Sequence, residues 1–290
     1  MQSSELWESA NFAWPNRQMS QIVDAGGIRW HVQRAGCGPC MLLVHGTGAS
    51  THSWRDLLPT LAQEYSVLAI DLPGHGFTGV TRAADSSIAG MSGSLAALLR
   101  VLRVSPDYCA GHSAGAVILC RMALDGHISP RVIVSINGAF LPFHRAAGLF
   151  LSPIARMLAG TSFMARMIAR RASDPANVAR LIAGTGSKLD AAGIGFYVKL
   201  VSDPNHLAGA LKMMGNWDLR SFERDLPRLA TPLALMVAEN DLTVPPHQAL
   251  SVKQSAMNAV IYSLPGLGHL AHEEQPELVA REILKICRET

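Results

Sequence analysis

Short apolar runs bounded by glycine, proline and aspartate recur along most of the chain, with segments of helical spacing between them. The first unit reads as a β-hairpin: Gln21–Asp24 and Ile28–Arg34 flank Gly26-Gly27, a pair suited to a two-residue turn. Beyond it the pattern predicts strands at Met41–Val44, Ser66–Ile70, Asp107–Gly111, Arg131–Ser135, Pro232–Val237 and Ala259–Leu264. Helices are predicted over Trp54–Gln63, with Trp54, Leu57, Leu58 and Leu61 on one face, and over Ser87–Leu102, Ala114–Leu124, Pro246–Gln254 and from Glu277 onward. Apolar strands alternating with helices imply a mostly parallel sheet covered on both faces.

Between Phe140 and Gly215 there is no strand-like run. Short amphipathic helices are predicted instead at Leu149–Leu158, Phe163–Arg171, Ala176–Ile182 and Leu207–Met214, with breaks at Asp174-Pro175, Gly184, Gly193 and Asp203-Pro204. The chain thus divides into an N-terminal arm (1–20), a first core part (21–140), an all-helical cap (141–216) and a second core part (217–290). The arm, with Trp7, Phe12 and Trp14, is expected to lie extended on the body.

Composition narrows the function classes. Apolar residues make up 49% and charged residues 16% of 290, which provides a large core and argues against disorder. A net charge of +3, with no basic run carrying interleaved aromatics, sets nucleic acid aside as a partner. The first twenty residues lack a secretory pattern, and no run of about eighteen apolar residues suggests a membrane span, so a cytoplasmic chain is expected. The five cysteines are read as small buried hydrophobes. Cys37-Gly38-Pro39-Cys40 has redox-motif spacing, but it sits in a turn running into a strand rather than at a helix start, so a thiol-redox or zinc role is not expected. No Walker sequence, dinucleotide fingerprint or ligand-spaced His/Cys cluster occurs, so no cofactor and no metal is expected.

The chemistry concentrates after predicted strand ends. Gly111-His112-Ser113-Ala114-Gly115 is a G-x-S-x-G elbow between a strand and a helix, which would push the Ser113 hydroxyl out above the sheet. A serine needs a base to take its proton and a carboxylate to orient that base. Asp241 and His269 follow the last two strands in the order Ser, Asp, His, with Glu239 and His272 as competitors close in sequence. The strand ending Ile136-Asn137-Gly138 offers no carboxylate. His45-Gly46-Thr47-Gly48 supplies an oxyanion turn, with the amides of Thr47 and Ala114 as donors. Most remaining histidines are expected on the surface or in the cap. Together these features predict an α/β-hydrolase fold with Ser113, Asp241 and His269 as its catalytic residues.

The runs Gly27–Gly36, His45–Leu57 and Asp71–Thr78, with Trp14-Pro15-Asn16-Arg17 and the elbow, resemble the BchO family. These are α/β hydrolases of bacteriochlorophyll biosynthesis in phototrophic bacteria, described as magnesium-chelatase accessory proteins. The Cys37–Cys40 turn departs from the family pattern without touching the catalytic part. The resemblance implies a role in photosynthesis near magnesium insertion, and two functions stay open. One is a serine hydrolase cutting an ester or related acyl bond of an apolar substrate, such as a tetrapyrrole or its isoprenoid ester. The other is a non-catalytic porphyrin-binding or magnesium-chelatase accessory protein. A serine at the elbow disfavours dehalogenase and epoxide-hydrolase chemistry, which uses aspartate there. Arginines 145, 156, 166, 170, 171 and 180 make the cap basic; a solvated polar face explains them, and peripheral contact with the photosynthetic membrane is the alternative.

Overall fold

A computed structural model describes residues 14–79, 86–141 and 174–290. Eight strands form one sheet in the order β1-β2-β4-β3-β5-β6-β7-β8. They are β1 (Ser20–Ala25), β2 (Ile28–Ala35), β3 (Cys40–Val44), β4 (Ser66–Ile70), β5 (Tyr108–His112), β6 (Val132–Ile136), β7 (Leu233–Ala238) and β8 (Ala259–Leu264). β2 pairs antiparallel with β1 and β4, and every later pairing is parallel. The hairpin closes at Ala25 opposite Ile28, with both turn glycines at positive φ (59° and 74°), as a two-residue primed turn requires.

Alternation along the strands sends side chains to two cores. Leu42 and Val44 of β3 face one, under α2 (Ile88–Leu102) and α3 (Ala114–Leu124). Met41 and Leu43 face the other, under α1 (Leu57–Leu61) and the last helix, α10 (Pro276–Glu289). α10 buries Val279, Ala280, Ile283, Ile286 and Cys287, a spacing that places all five on one face. The helix expected over Trp54–Gln63 is shorter and preceded by a 3₁₀ turn, Thr51–Trp54. Pro59 explains this: without an N–H it is tolerated only in a helix's first turn, so the helix cannot begin at Trp54.

Between β6 and β7 the described residues are helical: α4 (Pro175–Ala183), α5 (Ala191–Ser202), α6 (Pro204–Gly215) and α7 (Leu219–Asp225). Each begins at an aspartate N-cap, Asp174, Asp190, Asp203 and Asp218, whose carboxylate accepts a backbone N–H of the first turn. The Asp-Pro pairs read as breaks are therefore helix starts. The helices expected at Leu149–Leu158 and Phe163–Arg171, the arm before Trp14 and the arginines at 145–171 lie outside the described residues. α8 (Gln248–Ser255) and α9 (Ala271–Glu274) complete the set. No described helix is long and apolar enough to cross a membrane.

Trp14 is buried, its ring edge against Phe77 and Phe196. Beside it, Ser20 Oγ and Asp71 Oδ2 lie 3.0 and 2.8 Å from the two nitrogens of His31. Burial alone would raise the Asp71 carboxyl, but His31 and the Phe77 amide hold it well below the usual range.

Candidate active site

The elbow is built by backbone. β5 ends at His112 and α3 begins at Ala114, leaving Ser113 between them at φ 51°, ψ −115°. Such a conformation costs a non-glycine residue about 1–3 kcal/mol and persists only where neighbours over-determine it. Here the Ser113 amide donates to Ile136 O at 3.0 Å, and Ala139 N donates to Ser113 O at 3.3 Å. Gly115 lets the helix start against β3: a Cβ there would lie 2.1 Å from Val44 O. Ser113 is partly exposed.

His269 Nδ1 lies 2.7 Å from Asp241 Oδ2, with both residues buried. The carboxylate's other oxygen accepts the amides of Thr243 (2.7 Å) and Val244 (2.8 Å), which fixes its plane. With a carboxylate as partner, Nδ1 carries the proton and Nε2 is left as the basic nitrogen. The competitors are placed elsewhere. Glu239 is exposed and accepts from Ser263 Oγ at 3.0 Å. His272 is fully buried between Trp54 and His112, and burial pulls it down to about 3.

The His45–Gly48 turn is set by a side chain that carried no assigned role. His45 Nε2 accepts from Leu72 N at 2.9 Å, so the proton sits on Nδ1, which donates to Gly46 O at 2.8 Å. Ala49 N donates to the same oxygen at 3.2 Å. A trans peptide points its C=O and N–H in opposite directions, so anchoring Gly46 O aims the Thr47 N–H the other way. Ala114 is the first residue of α3, where the amide has no partner within the helix. Two donors of the type an oxyanion needs thus flank the elbow.

Three further residues emerge from the structure. Asn137, itself at φ 47°, donates from Nδ2 to Gly268 O (3.1 Å) and His269 O (2.9 Å) and accepts Ala238 N on Oδ1 (2.8 Å). It ties the end of β6 to both loops that carry Asp241 and His269. His112 Nε2 adds a bond to His269 O at 3.0 Å. His206 of α6 accepts Gly76 N on Nδ1 (2.9 Å) and donates from Nε2 to Gly48 O (3.1 Å), while Thr47 Oγ1 donates to Met213 Sδ at 3.6 Å, so α6 grips the His45–Gly48 turn. The expectation that most other histidines lie on the surface or in the cap is corrected for His31, His52, His75 and His272, which are buried outside residues 141–216; His206, inside them, is buried too, as are the motif histidines His45 and His112. Local sequence shows little of this, because the rings of His31, His45, His112 and His206 bond to segments distant in sequence.

Cys109, Cys120 and Cys287 are buried as expected, whereas Cys37 is exposed and Cys40 half-buried. The Cys40 thiol is pushed up to about 11 by burial and then by Asp107, the opposite of an activated thiol. Among the described residues no group of three or more His, Cys, Asp or Glu is arranged to hold a metal ion.

A mostly parallel sheet whose strand ends carry an elbow serine, a His–Asp pair and the His45–Gly48 turn is the arrangement of an α/β hydrolase, and the comparisons agree on that fold. Residues 41–282 match the model of the alpha/beta hydrolase family, to which this chain belongs. The chain is 37% identical over 262 residues to the magnesium-chelatase 30 kDa subunit of Rhodobacter capsulatus, covering 90% of this chain and 91% of that protein, and belongs with it to the BchO family. In fold it is similar to an alpha/beta hydrolase fold protein from Burkholderia ambifaria (TM-score 0.76, 23% identity, 92% of this chain and 97% of that one). A serine hydrolase of carbazole degradation, CarC, is also similar (TM-score 0.74, 19% identity, 93% and 99%).

Proposed function

We propose that this protein is a serine hydrolase that cuts an ester or related acyl bond of an apolar substrate in bacteriochlorophyll biosynthesis, near the magnesium-chelatase step. The observation that carries the chemistry is the 2.7 Å bond between His269 Nδ1 and Asp241 Oδ2; Ser113, held at φ 51°, follows His112, whose ring bonds His269 O. Ser113 Oγ attacks the acyl carbon and its proton passes to His269 Nε2. Asp241 keeps the ring in register and offsets the charge that forms on it. The amides of Thr47 and Ala114 receive the oxyanion. Collapse expels the alcohol with the proton from His269, and a water activated by the same nitrogen then releases the acid and restores Ser113. Residues 141–216 act as the cap that selects the substrate; for α6, the Thr47–Met213 contact supports a place beside the His45–Gly48 turn. The setting rests on the relative named as a magnesium-chelatase subunit.

That name also favours a second reading, in which the fold binds a porphyrin or assists the chelatase without cutting a bond. A fluorophosphonate probe separates the two. Mass-shifted wild-type protein beside unlabelled Ser113→Ala establishes an activated serine and directs the search to tetrapyrrole and isoprenoid esters. No adduct on folded wild-type protein, together with saturable porphyrin binding that survives Ser113→Ala, makes the accessory role the answer.

A further inference from the structure

We infer that the segment Thr185–Ser187, where the chain leaves α4, is a strap that positions the Asp241–His269 pair, with Gly186 and Ser187 as positioning residues of the reaction. The inference rests on the serine-hydrolase reading for its chemical consequence and on backbone geometry for its substance.

The strap passes between the two loops and bonds to both. The Thr185 carbonyl accepts the amide of His269 (3.3 Å) and the amide of Leu242, next to Asp241 (3.2 Å). One carbonyl, with its two lone pairs, therefore spans acid and base. Ser187, buried at 2% exposure, accepts Leu270 N on its hydroxyl at 2.8 Å. Glu274 joins the remaining amides, taking Gly268 N (2.9 Å) on one oxygen and Lys188 N (3.1 Å) on the other. Three successive amides of the base loop are thus spoken for on this side, while Asn137 and His112 hold the His269 carbonyl from the other.

The fit leaves no slack. Gly186 has φ 83°, and a Cβ on it would lie 1.9 Å from Asn240 O; a Cβ on Gly268 would lie 2.3 Å from the Gly186 carbonyl group. Only glycine accommodates both the left-handed backbone and the approach of two other main chains. The strap is also continuous with the helices above it. Leu270, the residue after the base, packs with Val178 and Ile182 of α4, and with Ile194 and Tyr197 of α5. A ligand that shifts α4 or α5 moves the carbonyl on which both loops hang, so occupancy of the helical insertion is transmitted to the reacting pair.

The experiment compares wild type, Ser187→Ala, Gly186→Ala and the conservative Ser187→Thr. The first readout is the low-field proton resonance of His269 Nδ1–H, assigned by its absence in Asp241→Asn. His31, whose Nδ1 lies 2.8 Å from Asp71, supplies an internal control for an intact fold. The second readout is the pH profile of fluorophosphonate labelling. The strap predicts a shifted or broadened His269 signal in Ser187→Ala and Gly186→Ala with the His31 signal unchanged. It also predicts labelling slowed by about tenfold to a hundredfold, and recovery in Ser187→Thr. A wild-type His269 resonance in Ser187→Ala overturns the strap, whatever Gly186→Ala does. Should wild type itself resist labelling, the hydrolase reading fails, and the resonance still decides the strap.

Discussion

Asn137 offers the sharpest energetic test. Its side chain makes three buried hydrogen bonds, to Gly268 O, His269 O and Ala238 N, at 3.1, 2.9 and 2.8 Å. In Asn137→Gly the backbone keeps its φ of 47° without strain and only the side chain is lost. His269 O retains His112 as a donor, whereas Gly268 O and the Ala238 amide lose their side-chain partner. Three bonds at about 1 kcal/mol each, with two polar groups left short of a partner, give a loss of about 3–4 kcal/mol. At roughly 2–4 °C per kcal/mol for a domain of this size, the melting temperature should fall by about 10 °C. Asn137→Ala should fall further by about 1 kcal/mol, because Ala bears the left-handed conformation less well. Calorimetry on the three proteins measures both steps, and the fluorophosphonate labelling rate, read well below the lowest melting temperature, should drop with the first. A fall of less than 2 °C in Asn137→Gly would refute the claim that this side chain holds the two loops together.

Ser113→Gly should stabilise the protein by about 1–2 kcal/mol by releasing the elbow strain, while Ser113→Ala, which keeps a Cβ, should not; equal melting temperatures would contradict this. Acid should destabilise the fold early. Burial takes His206 down to about 4 and His272 down to about 3, and puts His52, His75 and His112 well below their ordinary value. The unfolded chain therefore binds more protons below about pH 6.5, so stability is full above that pH and is lost as pH falls toward 4, with His206 alone accounting for about 3 kcal/mol there. A melting temperature flat between pH 7 and 5 would show the rings to be charged or solvated. At pH 8 iodoacetamide should add once quickly, at exposed Cys37, and slowly at Cys40, whose thiol stands at about 11; two equally fast adducts would restore the redox-pair reading.

What could be read from the chain was whatever is local. A strand, a glycine-flanked serine and a helix make an elbow from one continuous stretch, Tyr108–Leu124, and a hairpin needs little more than Gly26-Gly27. α5 could not be read this way, because Ala191-Ala192-Gly193-Ile194-Gly195 argues against a helix by propensity; an Asp190 cap and packing on α4 and Leu270 impose it. Asn137 looked uninformative because only a carboxylate was sought after that strand, whereas its contribution is a neutral amide pointing at residues over a hundred positions away. The buried histidines failed for the same reason. Their signal lies in polar residues inside otherwise tight turns, His45-Gly46 and Gly74-His75-Gly76, where one ring nitrogen bonds the turn's own backbone.

The Thr185 carbonyl also bears on how such a chain can change over evolutionary time. An insertion that merely roofed the sheet could be exchanged for a foreign one at its two junctions. Here the segment that leaves α4, inside the insertion, supplies hydrogen bonds to the loops that carry Asp241 and His269, so a graft must reproduce a carbonyl, a glycine and a buried hydroxyl in register before the borrowed helices can matter. Chimeras that exchange the insertion only beyond Lys188, keeping the native strap, should therefore fold and react where those exchanged over the whole of residues 141–216 do not.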